Sequence, residues 1–142
     1  YRAKEEGRGR AVFFDPEMNA RMLARAELEN GLHRALKQSL FELHYQPIFR
    51  GSDRAPLGVE ALLRWPQGPA DAPVGPAEFV PVAEDSGLIV ELGAWALEQA
   101  LRDFAGWRAR GVRLEYVSVN VSPRQLVEPD FPQRVREQLA RV

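Results

Sequence analysis

The sequence predicts an α/β fold with parallel strand pairing, on three observations. From residue 41 onward the hydrophobic periodicity reads strand, strand, helix, strand, helix. The segments between the later strands are long enough to be helical crossovers, and crossovers join parallel neighbours. The composition is that of an ordinary globular domain, 45% hydrophobic and 27% charged over 142 residues, so the chain can build a packed core.

Residues 1–14 are basic and then apolar at Ala11-Val12-Phe13-Phe14, with Gly7 and Gly9 suggesting a turn into a short strand. Asp15-Pro16-Glu17 reads as a helix start: Asp as N-cap, Pro at the first helical position, an acid in the first turn. Met18, Met22, Leu28, Leu32, Ala35 and Leu36 recur at near-helical spacing, which predicts a helix to Gln38. Gly31 inside it costs roughly 1 kcal/mol relative to Ala. Residues 41–46 alternate as a strand, which Pro47 confines to an edge or an end. Gly51-Ser52-Asp53-Arg54 is a turn, and a second strand is expected over 57–65. Residues 66–76, rich in Pro and Gly, form a loop. A short helix over 76–84 is expected to break at Pro81. Ile89, Leu92, Ala96, Ala100, Phe104 and Trp107 then form the apolar stripe of the longest helix, ended by Gly111. Residues 114–121 are β-rich, and 131–142 begin a last helix.

Charge and composition exclude several classes of function. Nineteen basic against twenty acidic residues leave a formal charge of −1, with no Lys/Arg stripe to hold a nucleic-acid polymer. There are no cysteines, so neither disulfides nor thiolate chemistry operate, as suits a cytoplasmic setting. No apolar run approaches the ~20 residues of a membrane span, so direct membrane contact by this segment is not expected. The chain opens without Met and stops on Val142, and both ends read as cuts through a longer protein.

In α/β folds ligands gather at the C-terminal ends of strands. That rule marks Gln46, the segment from Glu60 to Arg64, and Asn120 with Ser122. Within the second strand, Glu60, Leu62 and Arg64 share one face, and Val59, Ala61, Leu63 and Trp65 the other. The apolar face suits packing under helices. The first face then carries a carboxylate and a guanidinium inward, either as a buried Glu–Arg pair or as a ligand site. Ser118, Asn120 and Ser122 likewise share a face, either as a solvated mouth or as an exposed edge-strand face with a turn-initiating Asn. Oxygen donors from Glu60 and Asn120 suit a hard cation, although two donors do not complete a site. Arg64 can clamp a phosphate or simply partner Glu60. His33 and His44 are isolated and receive no chemistry, and Trp95 and Trp107 are read as packing residues.

Four ordered segments together resemble the EAL domain family. They are Leu43-His44-Tyr45-Gln46-Pro47-Ile48, then Gly58-Val59-Glu60-Ala61-Leu62-Leu63-Arg64-Trp65, then the stretch from Pro76 through Glu84-Asp85-Ser86-Gly87 to Ile89, and Ser118-Val119-Asn120-Val121-Ser122 with Gln125-Leu126. The resemblance covers residues 41–142. Tyr1-Arg2-Ala3-Lys4 to Arg10, with Val12-Phe13-Phe14, resembles the tail of a GGDEF domain, which makes residues 15–40 a linker helix. The EAL resemblance implies the N-terminal part of a modified (β/α)8 barrel that hydrolyses cyclic-di-GMP to pGpG with two Mg²⁺ or Mn²⁺ ions. It maps the motif acid onto Glu60 as catalytic metal ligand and the metal-binding Asn onto Asn120. It maps ligand-lining positions onto Gln46, Leu62 and Arg64, with Glu84 as a supporting acid.

A complete barrel of this kind needs ~250 residues, so the remaining metal ligands and a catalytic Lys are expected beyond Val142. The fragment alone is therefore expected to be inactive. Its open side calls for the missing half or a second copy of the chain, a homodimer, to cover it. Upstream GGDEF or sensor domains are the other expected partners. Two further functions stand beside the phosphodiesterase: a degenerate domain that binds cyclic-di-GMP as a receptor, and a scaffold.

Overall fold

The computed structural model of the chain describes residues 16–141. The expected GGDEF remnant, its short strand and the Asp15 cap lie outside the described residues. The elements run α1 (Pro16–Gln38), β1 (Glu42–Phe49), β2 (Pro56–Arg64), α2 (Pro76–Ser86), α3 (Ile89–Ala109), β3 (Tyr116–Val119), α4 (Pro123–Leu126) and α5 (Phe131–Leu139), with a 3₁₀ turn at Pro69–Asp71. One three-stranded sheet has the order β1-β2-β3. β1 pairs antiparallel with β2, and β2 pairs parallel with β3 through the crossover of α2 and α3.

The faces of β2 separate as the alternation predicts. Val59, Ala61 and Trp65 are buried, and Leu63 packs against the same core. That core gathers Leu32 and Ala35 of α1, Phe41, Phe79 and Val82 of α2, and Ile89 and Leu92 of α3. Phe41, Trp65 and Phe79 meet with ring centroids 5.6–5.9 Å apart, within the range of favourable tilted and edge contacts. Gly31 is explained here: a Cβ on it would lie 2.9 Å from the indole of Trp65, so the helix accepts a weak residue in order to pack close. Trp95 packs on Phe41, and Trp107 meets Tyr45 edge-on at 4.6 Å, so both tryptophans serve packing.

Several expectations are corrected. α2 runs through Pro81 without a break. An interior Pro costs about 3 kcal/mol, but burial of Phe79 and Val82 on the same helix, at roughly 1.5–3 kcal/mol each, offsets it. β1 continues past Pro47 to Phe49 rather than ending at residue 46, while its place at the sheet edge, where a missing N–H is tolerated, is one of the two that Pro47 allows. β3 is half the expected length, because the chain leaves the sheet after Val119 to start α4. The helical stripe of α1 is only half used: Leu32 and Ala35 are buried, whereas Met18 and Met22 are about three-fifths exposed. The end of α3 matches expectation. Gly111 takes φ +84°, Val112 N–H donates to Trp107 O and Gly111 N–H to Arg108 O, which satisfies the last carbonyls. No helix among the described residues is long and apolar enough to cross a membrane.

Candidate functional site

The second face of the sheet has no helix of the described chain packed on it, and it holds the residues that the sequence singles out. Register places them. Glu60 of β2 sits directly opposite Gln46 of β1 and Ser118 of β3, and Leu62 sits opposite His44. Asn120 follows the end of β3 by one residue, and its Nδ2 donates to Glu60 Oε1 at 2.8 Å. The two oxygen-donor side chains, sixty residues apart in sequence, are therefore in direct contact.

The geometry bears on the alternatives that alternation leaves open. Glu60 and Arg64 are half-buried rather than buried, and no ion pair joins them among the described residues. Arg64 instead donates Nη1–H to its neighbour's carbonyl, Leu63 O, at 2.8 Å, which leaves further donors of its fork uncommitted to that bond. Ser118 and Asn120 are exposed on and just after the edge strand β3, as both a solvated mouth and an ordinary edge-strand face would be. Gln46 lies beside the site for a different reason from the one expected. It is not at the end of its strand, and β1 runs antiparallel to β2, so the strand-end rule does not put it there; the register opposite Glu60 does.

Beside Asn120 lies a network that residue spacing predicts only in part. Ser122 caps α4: its Oγ accepts from Arg124 N–H, and its own N–H donates to Gln125 Oε1 at 3.1 Å, a reciprocal capping box. The same hydroxyl donates to Glu84 Oε1 of α2 at 2.7 Å. Gln125 is 4% exposed and lies against Gly93 of α3, where a Cβ would come within 2.2 Å of its amide. The Ser-x-x-Gln spacing is the available signal for α4; the link to Glu84 has none, because it joins residues thirty-eight apart.

Glu60 and Asn120 offer the hard oxygen donors that a divalent cation of the Mg²⁺ type prefers. They are too few for a closed site: no cluster of three or more His, Cys, Asp or Glu suited to a metal occurs among the described residues. The donor chemistry fits, and the donor count is that of a part.

The EAL domain family matches residues 29–142, which takes in the packed half of α1. The chain is 43% identical over 130 residues to the cyclic di-GMP phosphodiesterase PdeR of Escherichia coli (strain K12), covering 90% of this chain and 19% of that protein. It is 37% identical over 141 residues to the bifunctional diguanylate cyclase/cyclic di-GMP phosphodiesterase MucR of Pseudomonas aeruginosa, covering 99% and 20%. The chain thus spans about a fifth of the length of these relatives. Among solved structures, the PaMucR phosphodiesterase in complex with c-di-GMP superposes with a TM-score of 0.74 at 36% identity, over 80% of this chain and 46% of that one. The EAL enzyme Bd1971, in its cGMP-bound form, gives 0.75 at 29% identity, over 88% and 36%. The fold is accordingly that of the front part of the barrel found in EAL domains, and the chain belongs to the EAL domain family.

Proposed function

We propose that this chain is the front part of a domain that binds cyclic-di-GMP and, within the longer polypeptide, hydrolyses it to pGpG. The observation that carries the reading is the 2.8 Å contact between Asn120 and Glu60 on the sheet face left bare by the helices. The cyclic di-GMP phosphodiesterases among the relatives and the c-di-GMP complex among the solved structures support it.

Each residue has a task that its chemistry allows. Glu60 and Asn120 would hold Mg²⁺ or Mn²⁺, with two ions expected once the remaining ligands are supplied. A bound ion supplies Lewis acidity toward the phosphodiester and lowers the pKa of water. The register sets Glu60 in the middle strand of the sheet, so its carboxylate is presented from a hydrogen-bonded element. Arg64, on the same face four residues along, presents a planar fork of donors to a phosphate. Leu62 lies between them and gives an apolar surface for base or ribose, and Gln46 offers an amide from the neighbouring strand. Residues 1–14 as a GGDEF tail, residues 15–40 as a linker helix, a homodimer and a cytoplasmic location belong to the same reading.

The test is Glu60→Ala in the full-length protein. Mg²⁺-dependent formation of pGpG should fall on the order of 10²–10³-fold or more, while the melting transition stays in place. Unchanged turnover refutes the metal role. Turnover absent from the unmodified protein, with cyclic-di-GMP still bound, would identify a receptor instead.

A further inference from the structure

We propose that Glu84 is a positioning residue for this site: through the hydroxyl of Ser122 it fixes the chain segment that carries Asn120 to Glu60. The inference rests on the functional reading above for its purpose, but not for its geometry.

Asn120 is exposed and stands outside the strand ladder, so the sheet does not hold it. Its side-chain contact with Glu60 is a single hydrogen bond. What holds the backbone is the clamp two residues further on. Two residues of extended chain span at most ~7 Å, so the position of Ser122 closely limits that of Asn120. Ser122 is gripped from two helices. From α2, Glu84 Oε1 accepts its Oγ–H at 2.7 Å. From α3, Gly93 leaves the space into which the buried Gln125 side chain fits, and Gln125 Oε1 accepts the Ser122 N–H.

The Ser122 hydroxyl works in both directions at once. It gives its one proton to Glu84 and takes the Arg124 N–H on a lone pair. A helix cap alone needs only the acceptor, and Asp or Asn would serve as well as Ser. The donor half is used by Glu84, and it ties the end of α2 to the turn after β3. Outer partners that hydrogen-bond a metal-ligating side chain itself are typically worth 10–100-fold in metal affinity; Glu84 acts one step further out, through Ser122 and the backbone, so its loss should cost less, up to about 10-fold.

The capping role and the positioning role separate in one substitution. Ser122→Asp keeps a good cap but has no proton for Glu84 and sets two carboxylates face to face. The experiment uses the full-length protein with asparagine labelled in its side-chain amide, the Asn120 signal being assigned by its loss in Asn120→Asp. In metal-free protein, Ser122→Asp and Glu84→Ala should lower the order parameter of the Asn120 amide, while Ser122→Thr and Glu84→Gln, which keep the donor and acceptor, should preserve it. Titration with Mn²⁺ should show half-saturation raised several-fold, up to about 10-fold, in the first pair and little changed in the second. A Ser122→Asp protein with an ordered Asn120 amide and unaltered Mn²⁺ binding would overturn the proposal and leave Ser122 as a cap. If the unmodified protein binds no Mn²⁺, the functional reading fails, and the amide measurement still decides whether Glu84 positions Asn120. Should Glu84→Ala not fold, the contrast of Ser122→Asp with Ser122→Thr still decides between positioning and capping.

Discussion

The two faces of one sheet differ in almost everything except their backbone. On the packed face, Val59 and Ala61 are buried, and Trp65 and Leu63 join the core cluster that takes in residues of three helices. On the bare face, Gln46, Glu60, Leu62, Arg64, Ser118 and Asn120 are half-buried or exposed and make few contacts with one another. A strand alternates its side chains, so one nine-residue segment serves both ends at once. Substitutions on the two faces should therefore have separable consequences: stability behind, binding and turnover in front.

The largest expected effect is on the packed face. Phe79 is fully buried, with rings of Phe41 and Trp65 around it. Phe79→Ala should cost about 3–5 kcal/mol, read as a lower denaturant midpoint in the full-length protein. Glu60→Ala, in front, should leave that midpoint within about 0.5 kcal/mol. An equal loss of stability from both would mean that the bare face is part of the core and would end the comparison.

How legible the molecule is in its sequence depends on whether a feature is local. The alternation in β2 and the stripe in α3 are local patterns, and both faces follow from them. The resemblance to EAL domains is local in the same sense, as motifs in order along the chain. What escapes is set by partners distant in sequence. Pro81 reads as a break because its cost is local, whereas the burial that outweighs it comes from α1 and β2. Met18 and Met22, four apart, fit a helical face as well as Leu32 and Ala35, three apart, and periodicity alone cannot tell that only the latter pair is buried. The strand-end rule does not account for the position of Gln46, since the antiparallel register is what puts it beside Glu60. Asn120 is legible from the polar face after β3, but the Glu84–Ser122 bond that steadies its segment is not.

A smaller effect sharpens the comparison on β1, whose packed face carries a polar atom. Tyr45 Oη–H donates to Asp103 Oδ2 at 2.6 Å, and its ring meets Trp107 edge-on. Tyr45→Phe removes that bond while Gln99 still donates to Asp103, so the loss should be about 1–2 kcal/mol. The pH dependence gives an independent measure. Burial first, and then the hydrogen bond and the charge of Asp103, raise the Tyr45 pKa well above the ordinary phenol value. A raised folded-state pKa gives stability that is present in full below the unfolded value, about 10, and is lost as pH rises through it toward the folded one. Denaturant midpoints should fall above pH 10 in the unmodified protein, and less steeply in Tyr45→Phe. Identical slopes would place the Tyr45 hydroxyl in solvent.

The smallest effect lies on the exposed seam between α1 and α2. Arg25 donates to Asp85 there, with both side chains about half exposed. That hydrogen bond, and then the charge of Arg25, hold the Asp85 carboxyl below the usual carboxylate range. A depressed folded-state pKa means the contribution exists above the unfolded value, about 3.9, and disappears as pH falls through the folded one. An exposed pair is also screened, with a Debye length near 8 Å at physiological ionic strength. Arg25→Ala should therefore change the midpoint little at pH 7 in 0.15 M salt and more at low salt, and the difference should vanish in acid. Packing of Leu32, Ala35 and Leu28 would hold the second half of α1 in either case. A large, salt-independent loss would instead show that the exposed first half of α1 is fastened to the domain as firmly as the packed half, and the seam would then belong with the core.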